Sequence, residues 1–364
     1  MSAAATSLAD RALGALLGLA IGDASGLPAL YHRSVRLGGP RKWLWHFSAE
    51  ADTQHVLRFL MPFTLGRPEP LELSGTDDTE FAAAAALILL DSGDDPTSQA
   101  LFAGWRKHVV DRPEQVWTGI AERSSIVNAQ AGLTPPATGN DNPARFDDGA
   151  VARAVPVGIR YAGRPDHAAK VATRLAEITH AEDGVWAAAA MAAGIATAAT
   201  GADAAGTVSA GVARIPNGSW LSRQMAHALE LAGAAATPLG LVADLNDEIA
   251  NASYSFGTVA PETLASAFAI VLATNGDPTV ALPLASMIAK QSDSMPAMVG
   301  ALTGALQGAD ALPQRWRSKV DLLRGHCLPH LAGTSLTSIA DDLVTASQGL
   351  DGQVAASEGR RAND

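Results

Sequence analysis

Apolar positions recur every three or four residues through most of the chain, which is the spacing that places them on one face of an α-helix. The sequence has no sustained alternation of polar and apolar residues, the pattern typical of strands. Alanine occurs in runs, such as Ala82–Ala86 and Ala187–Ala190, and small side chains let helices pack closely. The pattern therefore predicts an all-α protein, a compact multi-helix bundle with few strands.

The first two helices have clear start signals. Ser7 and Asp10 resemble a capping box with Asp in place of Glu, and they precede a helix through Leu13, Leu16, Leu17 and Ile21. Gly and Pro in the segment 22–28 predict a turn that ends this helix. A second helix starts at Thr76–Thr79. Further helices are predicted at about 97–110, 114–130, 149–162, 166–180, 184–200, 219–234, 238–251, 261–274, 278–290, 295–308 and 335–347.

Loop signals between the helices indicate the domain organisation. Residues 31–75 read as a long irregular excursion, because Gly38, Gly39 and several prolines interrupt any periodicity. No long linker or fixed-period repeat divides the chain, so residues 1–346 are predicted to form a single all-helical domain. Residues 347–364 are polar and small, which predicts a flexible tail.

Composition and charge narrow the classes of function. Apolar residues make up 48% of the chain and charged residues 17%, which excludes disorder for most of it. The net charge is −11, from 26 basic and 37 acidic residues, so no nucleic-acid partner is expected. Cys327 is the single cysteine, which excludes an intramolecular disulfide and a thiolate zinc cluster. A reducing cytoplasm is compatible with this usage and is the predicted location.

Two apolar stretches require a comparison with membrane segments. Ala12–Gly22 lies where a secretory signal would be, but Asp10 falls in what would be the basic region and Arg11 is its only positive charge. Gly184–Ala202 is long enough to span a bilayer, yet it consists mostly of Ala, Gly and Thr, which favours a buried helix. No membrane association is expected.

Two polar islands at predicted helix starts are the candidates for chemistry. Thr76-Asp77-Asp78-Thr79 offers adjacent carboxylates and hydroxyls, hard oxygen ligands that suit Mg²⁺, Mn²⁺ or Ca²⁺. Gln291-Ser292-Asp293-Ser294 precedes a later helix. Each island is also typical of a helix N-cap, where Asp, Thr and Ser accept hydrogen bonds from free N–H groups. If the two islands converge, they would form a carboxylate metal centre assembled from several helices.

Several short motifs occur in an order that is more specific than any one of them. Residues 22–28 read Gly-Asp-Ala-Ser-Gly-Leu-Pro, residues 76–79 read Thr-Asp-Asp-Thr, and residues 291–294 read Gln-Ser-Asp-Ser. Between them lie Asp148-Gly149-Ala150-Val151-Ala152-Arg153 with Pro156, then Thr179-His180 and Ser255-Phe256-Gly257-Thr258-Val259. This series, over roughly residues 8–310, resembles the ADP-ribosylglycohydrolase family of the dinitrogenase-reductase-activating glycohydrolase type.

The resemblance implies a compact all-α bundle with a metal site at converging helix N-termini. One or two Mg²⁺ ions, or Mn²⁺ or Ca²⁺, would be bound by Thr76, Asp77, Asp78, Asp293 and Ser294, and the catalytic residues would be Asp77 and Asp78. Substrate contacts would come from Asp148, Gly149, Arg153, His180, Phe256 and Gly257. The implied activity is hydrolysis of a ribosyl glycosidic bond, in an ADP-ribosyl-protein, an ADP-ribosyl compound or a ribonucleoside.

The chain departs from the family pattern in ways that bear on activity. Gln291 stands where the family has the first Asp of its last motif, and an amide in place of a carboxylate should weaken a second metal position. Leu30 lies near the position at which many members carry a catalytic glutamate, and Asp148 replaces an Asn. Gly75 replaces an aromatic residue. The alternative to an enzyme is therefore a weakened or inactive relative that binds ADP-ribose or a nucleotide.

Two of the implied substrate contacts have a second interpretation. Arg153 on an alanine-rich helix is either a phosphate clamp or half of a buried ion pair, and His180 is either a substrate contact or a helix C-cap. The sequence has no P-loop, dinucleotide-binding fingerprint or nucleophile elbow, so kinase and dehydrogenase functions have no support. The oligomeric state is left open.

Overall fold

Helices make up most of the chain that the computed structural model describes, which is residues 6–33, 53, 74–112, 116–250, 258–288 and 294–361. The α-helices are α1 Leu8–Arg33, α2 Asp77–Asp91, α3 Ser98–Trp105, α4 Ile120–Gln130, α5 Ala137–Asn140, α6 Gly149–Arg160, α7 Pro165–Ala176, α8 Asp183–Ala198, α9 Ala204–Val212, α10 Trp220–Ala234, α11 Pro238–Asp244, α12 Ala260–Ala273, α13 Pro278–Ser286, α14 Met295–Gln307, α15 Gln314–Val320 and α16 Leu336–Arg361. Two π-helical segments, Arg106–Val110 and Leu245–Ala250, continue α3 and α11. Within these described ranges, β-type pairing is limited to two isolated bridges, which confirms the all-α prediction.

All thirteen predicted helices occur in the predicted order, and three further short helices, α5, α9 and α15, were not predicted. The ends of the helices agree less closely. Helix α4 begins later than the predicted residue 114, and α13 ends at Ser286, before the predicted residue 290. Helix α16 continues to Arg361, past the predicted end at residue 347. The irregular excursion predicted for residues 31–75 falls mostly outside the described residues, between the end of α1 and the start of α2.

Helix α1 contradicts the predicted turn at residues 22–28. Its start is as predicted, because the Ser7 hydroxyl accepts the backbone N–H of Asp10 at 3.1 Å. The helix then passes through Gly22–Pro28 without ending and reaches Arg33. Pro28 is carried inside the helix at the loss of one backbone hydrogen bond. The sequence signals that usually end a helix therefore do not end this one.

The glycines of α1 allow a close approach of α14. Gly14, Gly18 and Gly22 are four residues apart and so lie on one face of the helix. A Cβ atom on Gly18 would overlap the carbonyl oxygen of Gly300, and one on Gly22 would overlap that of Pro296. Because the contacts run in opposite directions along the two chains, α1 and α14 are antiparallel. Their packing outweighs the low helix propensity of glycine.

The alanine-rich helices form the centre of the molecule. Helix α8 is buried along almost its whole length, and its closest neighbours are α6, α7 and α9. Gly184–Ala198 therefore lies in the protein core, as the alanine composition predicts. In the part of the chain that is described, no helix is both long and apolar enough to cross a membrane.

Candidate active site

Several helices start at the same end of the bundle. Phe81 near the start of α2 stacks on Trp105 at 5.9 Å between ring centroids, and the guanidinium of Arg153 near the start of α6 lies 5.2 Å from the same ring. At the opposite ends of these helices, Arg160 bonds Asp94 at 2.6 Å. Helices α2 and α6 are therefore parallel, and their N-termini lie on one side.

Three further helix starts join this end. The start of α14 lies against Gly22 of α1, next to the residue that bonds the start of α2. The backbone N–H of Asp148 donates to the Thr258 carbonyl at 3.0 Å, which brings the starts of α6 and α12 together. A Cβ atom on Gly184 of α8 would lie 3.2 Å from the carbonyl oxygen of Asp147. This convergence of N-termini is the geometry that the resemblance implies.

The carboxylate of Asp23 binds the first turn of α2 from outside that helix. Its Oδ2 accepts the backbone N–H groups of Thr76 at 2.6 Å and Thr79 at 3.0 Å. The hydroxyls of the same two threonines donate to Asp23 at 2.5 Å each. Burial raises the pKa of Asp23 above its ordinary value, and these four hydrogen bonds oppose the rise. Asp23 thus caps the N-terminus of α2, although it belongs to α1.

The N-cap interpretation of the Thr76–Thr79 island is therefore only partly right. Thr76 occupies the N-cap position, but its side chain makes no cap bond within α2. Because Asp23 bonds the N–H groups, Asp77 and Asp78 are not required as caps. Asp78 is buried and Asp77 half-buried at the first turn. Their carboxylates are placed at the end of the bundle where the helix starts meet.

Glu80 joins the same turn to a distant segment. Its buried carboxylate accepts the backbone N–H groups of His326 and Cys327, each at 2.7 Å, and of Leu328 at 2.8 Å. Three successive N–H groups form a nest for an anion, here filled by a side chain. The Ser74 hydroxyl and the ring of exposed His326 are 3.0 Å apart. The first turn of α2 is therefore held from both α1 and the chain before α16.

The donor set fits a hard divalent cation. Thr76, Asp77 and Asp78 offer oxygen atoms only, and Ser294 lies at the N-cap position of α14, buried and without a side-chain cap bond. Among the described residues, no group of three or more His, Cys, Asp or Glu side chains has the geometry of a metal site. The other predicted ligand, Asp293, and the altered position Gln291 lie outside the described residues.

Arg153 of the middle motif makes a buried ion pair. Its Nη1 donates to Glu122 Oε1 at 2.5 Å, and both side chains are almost fully buried. Burial alone would raise the pKa of Glu122, but the charges of Arg153 and His180 outweigh it and hold that pKa below its ordinary value. Gly149 is needed beside this pair, because a Cβ there would lie 2.7 Å from Glu122 Oε1. The ion-pair alternative for Arg153 is thus the arrangement found.

His180 lies in the interior behind the helix starts. Its side chain is fully buried, and Nδ1 is 2.7 Å from the Thr179 hydroxyl, which also accepts a hydrogen bond from Arg153. The ring does not bond helix carbonyls as a C-cap would, and its Nε2 lies 3.7 Å from Asp147 Oδ1. Arg153 and His180 therefore bind the same group inside the protein, the Thr179 hydroxyl.

The remaining predicted contacts are only partly described. Asp148 is buried at the N-cap position of α6, directly before Gly149. Phe256 and Gly257 lie outside the described residues, and Leu30 lies in the last turns of α1. Four buried acidic residues that bind other groups of the protein were not predicted as site residues: Asp23, Glu80, Glu122 and Asp147. Asp23 carried a signal, its place in the Gly-Asp-Ala motif, whereas the partners of Glu80 and Glu122 are too far away in sequence to be recognised.

Comparisons with known proteins identify the family and agree with the fold. The model of the ADP-ribosylglycohydrolase family matches residues 4–352. A solved structure titled "ADP-ribosylglycohydrolase-related protein complex" is similar in fold, with a TM-score of 0.52 and 22% sequence identity, over 94% of this chain and 99% of that chain. None of the curated proteins compared with the sequence matches it. On the family match, which spans nearly all of its length, the chain belongs to the ADP-ribosylglycohydrolase family.

Proposed function

We propose that the protein is a divalent-metal-dependent hydrolase that cleaves the bond between C1 of a ribosyl group and its leaving group. Membership of the family supports glycohydrolase chemistry. The observation that carries the proposal is the Thr76–Asp78 turn, which Asp23 bonds from α1 and which holds two adjacent carboxylates at the end of the bundle where the helix starts meet. Mg²⁺ is the proposed cofactor, with Thr76, Asp77, Asp78, Asp293 and Ser294 as ligands.

In this mechanism the chain's own residues place the sugar and move one proton. A divalent cation, when bound, supplies positive charge that orients the ribose hydroxyls and makes a water molecule more acidic. Asp77 or Asp78 accepts the proton of the attacking water while the water oxygen bonds to C1 and the leaving group departs. The carboxylates stabilise the oxocarbenium-like transition state through their negative charge.

The substrate class follows from the ribosyl group. An ADP-ribosyl-protein, a free ADP-ribosyl compound and a ribonucleoside all present a ribose with a leaving group at C1. We propose that Asp148, Gly149, Phe256 and Gly257 contact this substrate. Arg153 and His180, which are bonded inside the protein, are proposed to support those contacts from behind. Gln291 is proposed to weaken a second metal position.

The test is a parallel assay of ADP-ribosyl-arginine and a ribonucleoside, each with Mg²⁺ and with EDTA. We expect turnover of at least one substrate in Mg²⁺ and its loss in EDTA. Asp78→Asn should lower kcat by about 10²–10⁴-fold, the usual contribution of a proton-transfer group. The matched control is Asp91→Asn at the far end of α2, whose exposed carboxylate pairs with Lys107 at 2.7 Å. Turnover that is undiminished in EDTA would contradict the metal dependence.

A second candidate is a binding protein that does not cleave its ligand. Gln291 and Leu30 favour it, because each stands near a position at which the family carries an acidic residue. Calorimetry with ADP-ribose distinguishes the two, since a binder gives a stable complex and no product over hours. Product formation in the parallel assay contradicts this candidate.

A further inference from the structure

A short ladder joins the start of α6 to the start of α12. Asp147 and Val259 form an antiparallel bridge. The backbone N–H of Asp148 donates to the Thr258 carbonyl, and that of Ala260 donates to the Phe146 carbonyl, both at 3.0 Å. Two backbone bonds alone make a weak connection, and Asp148 is one of the proposed substrate contacts. The position of Asp148 therefore depends on what else holds the two segments together.

The Asp147 carboxylate supplies that further connection. Its Oδ1 accepts the backbone N–H of Gly149 at 2.8 Å, and its Oδ2 accepts the hydroxyl of Thr258 at 2.8 Å. The side chain is 8% exposed, so water competes little for either bond. One carboxylate thus fixes the residue after Asp148 and, at the same time, the opposite segment.

The same carboxylate also faces His180. The His180 ring is fully buried, its Nε2 makes no hydrogen bond among the described residues, and Asp147 Oδ1 at 3.7 Å is the acid that faces it. Through Thr179 the ring contacts Arg153 and, beyond it, Glu122. Asp147 therefore lies between this buried polar cluster and the two helix starts.

We infer that Asp147 is a positioning residue, which holds Asp148 and Gly149 in register with the segment at Thr258 so that they bind the ribosyl substrate. The inference rests on the proposed function. A purely structural Asx turn would need only the bond to Gly149. The bond from Thr258 joins two segments whose bonded residues are 111 positions apart in the chain.

Three variants separate positioning from stability. Asp147→Ala removes both bonds, and Thr258→Val removes only the bond between the segments. Asp147→Asn keeps them, because its amide oxygen accepts the Gly149 N–H and its NH₂ group donates to the Thr258 hydroxyl. The matched control is Asp203→Ala, which removes a carboxylate that caps α9 by accepting the Gly206 N–H at 2.7 Å.

We expect Asp147→Ala to raise KM and weaken ADP-ribose binding by about tenfold, with kcat changed much less, because the net worth of one or two hydrogen bonds is lost from ground-state binding. Thr258→Val should show a smaller effect of the same kind, and Asp147→Asn should restore wild-type binding. Asp203→Ala should lower the melting temperature without changing KM. An unchanged KM in Asp147→Ala, with an active wild type, overturns the inference and leaves the proposed function intact.

Amide hydrogen exchange tests the inference without any activity. Exchange at Asp148 and Ala260 should become about tenfold faster in Asp147→Ala than in wild type, while exchange within α9 stays the same. A wild type that neither binds nor cleaves any ribosyl compound contradicts the proposed function, and it overturns the positioning role with it. Unchanged exchange at both amides also overturns the inference, whatever the activity of the wild type.

Discussion

Asp23 shows how a single buried carboxylate can determine the shape of a site. It accepts the N–H groups of Thr76 and Thr79, which no other described group satisfies. We predict that Asp23→Ala lowers the free energy of unfolding by about 2–6 kcal/mol, because two buried N–H groups each lose an acceptor worth roughly 1–3 kcal/mol. Urea unfolding followed by circular dichroism measures the change.

The control for this prediction lies on the same helix. Asp10 of α1 accepts one backbone N–H, that of Ala309, at 3.1 Å and in a partly buried position. Asp10→Ala should therefore cost less than Asp23→Ala. Equal losses in the two variants would show that Asp23 is an ordinary cap.

His108 makes stability depend on pH. Its ring is buried on the π-helical segment after α3 and faces His330 at 5.8 Å between ring centroids. Neither ring nitrogen has a hydrogen-bond partner within the described part of the chain. Burial lowers the pKa of His108, the charges of Lys107 and Arg112 add to this, and Asp91 at 3.9 Å opposes it. The unfolded chain therefore binds a proton below about pH 6.5 that the folded protein does not. Stability should be complete above that pH and fall as the pH decreases.

The measurement is the free energy of unfolding of wild type and His108→Leu between pH 8 and pH 5. The variant should lose less stability over the acidic part of this range, since it has no ring to protonate. His227→Gln removes a half-buried histidine that bonds Glu248 at 2.9 Å, and it should keep the wild-type dependence. Parallel curves for wild type and His108→Leu would contradict the prediction.

At the residue scale, the sequence offers local signals but not the contacts between distant residues. Asp77 and Asp78 are predicted site residues because two adjacent acids at a helix start are a local signal. The bonds of Asp23 to Thr76, and of Glu122 to Arg153, join residues 53 and 31 positions apart. No local sequence pattern indicates such pairs. The capping of α2 by Asp23 and the buried ion pair of Arg153 could therefore be identified only from the structure.

At the scale of elements, the packing of α1 on α14 requires glycine, which has no side chain, at positions 14, 18 and 22. Gly18 faces Gly300 backbone to backbone, so that a methyl group has no space on either side. We predict that Gly18→Ala destabilises the protein by about 1–3 kcal/mol or more, the usual cost of overpacking a close contact. The midpoint of urea unfolding measures this loss.

Gly233 provides the comparison for Gly18. It lies in α10, and no atom is within 4 Å of a Cβ placed there. Gly233→Ala should therefore stabilise the protein by about 0.5–1 kcal/mol, through higher helix propensity alone. If Gly18→Ala behaved in the same way, the close approach of α1 and α14 would be wrong.

The same helix explains why the end of one element could not be predicted. Gly and Pro at residues 22–28 are local breakers, and local rules predict a turn. At Gly22 this effect is outweighed by a partner that is distant in sequence, since α14 packs against the glycine face. Helix α8 was predicted correctly because its alanine run specifies both the period and the burial locally.

At the scale of the whole molecule, the proposed metal site would join parts of the fold that lie far apart in sequence. Thr76, Asp77 and Asp78 belong to the turn held by Asp23 of α1, and Ser294 begins α14, which packs on that same helix. The unfolded chain does not bring these residues together. A cation bound there would therefore bind the native state alone and stabilise it by mass action.

We predict that Mg²⁺ or Mn²⁺ raises the melting temperature and that EDTA lowers it. At a metal concentration a hundredfold above Kd, the gain should be about 2.7 kcal/mol. Asp78→Asn should lose most of this response, because the site loses an anionic ligand, whereas Asp91→Asn at the other end of α2 should keep it. Differential scanning calorimetry of the three proteins, with each metal and with chelator, gives the comparison. A wild-type melting curve that is the same in all conditions would contradict the metal site and favour the interpretation of the two polar islands as helix caps.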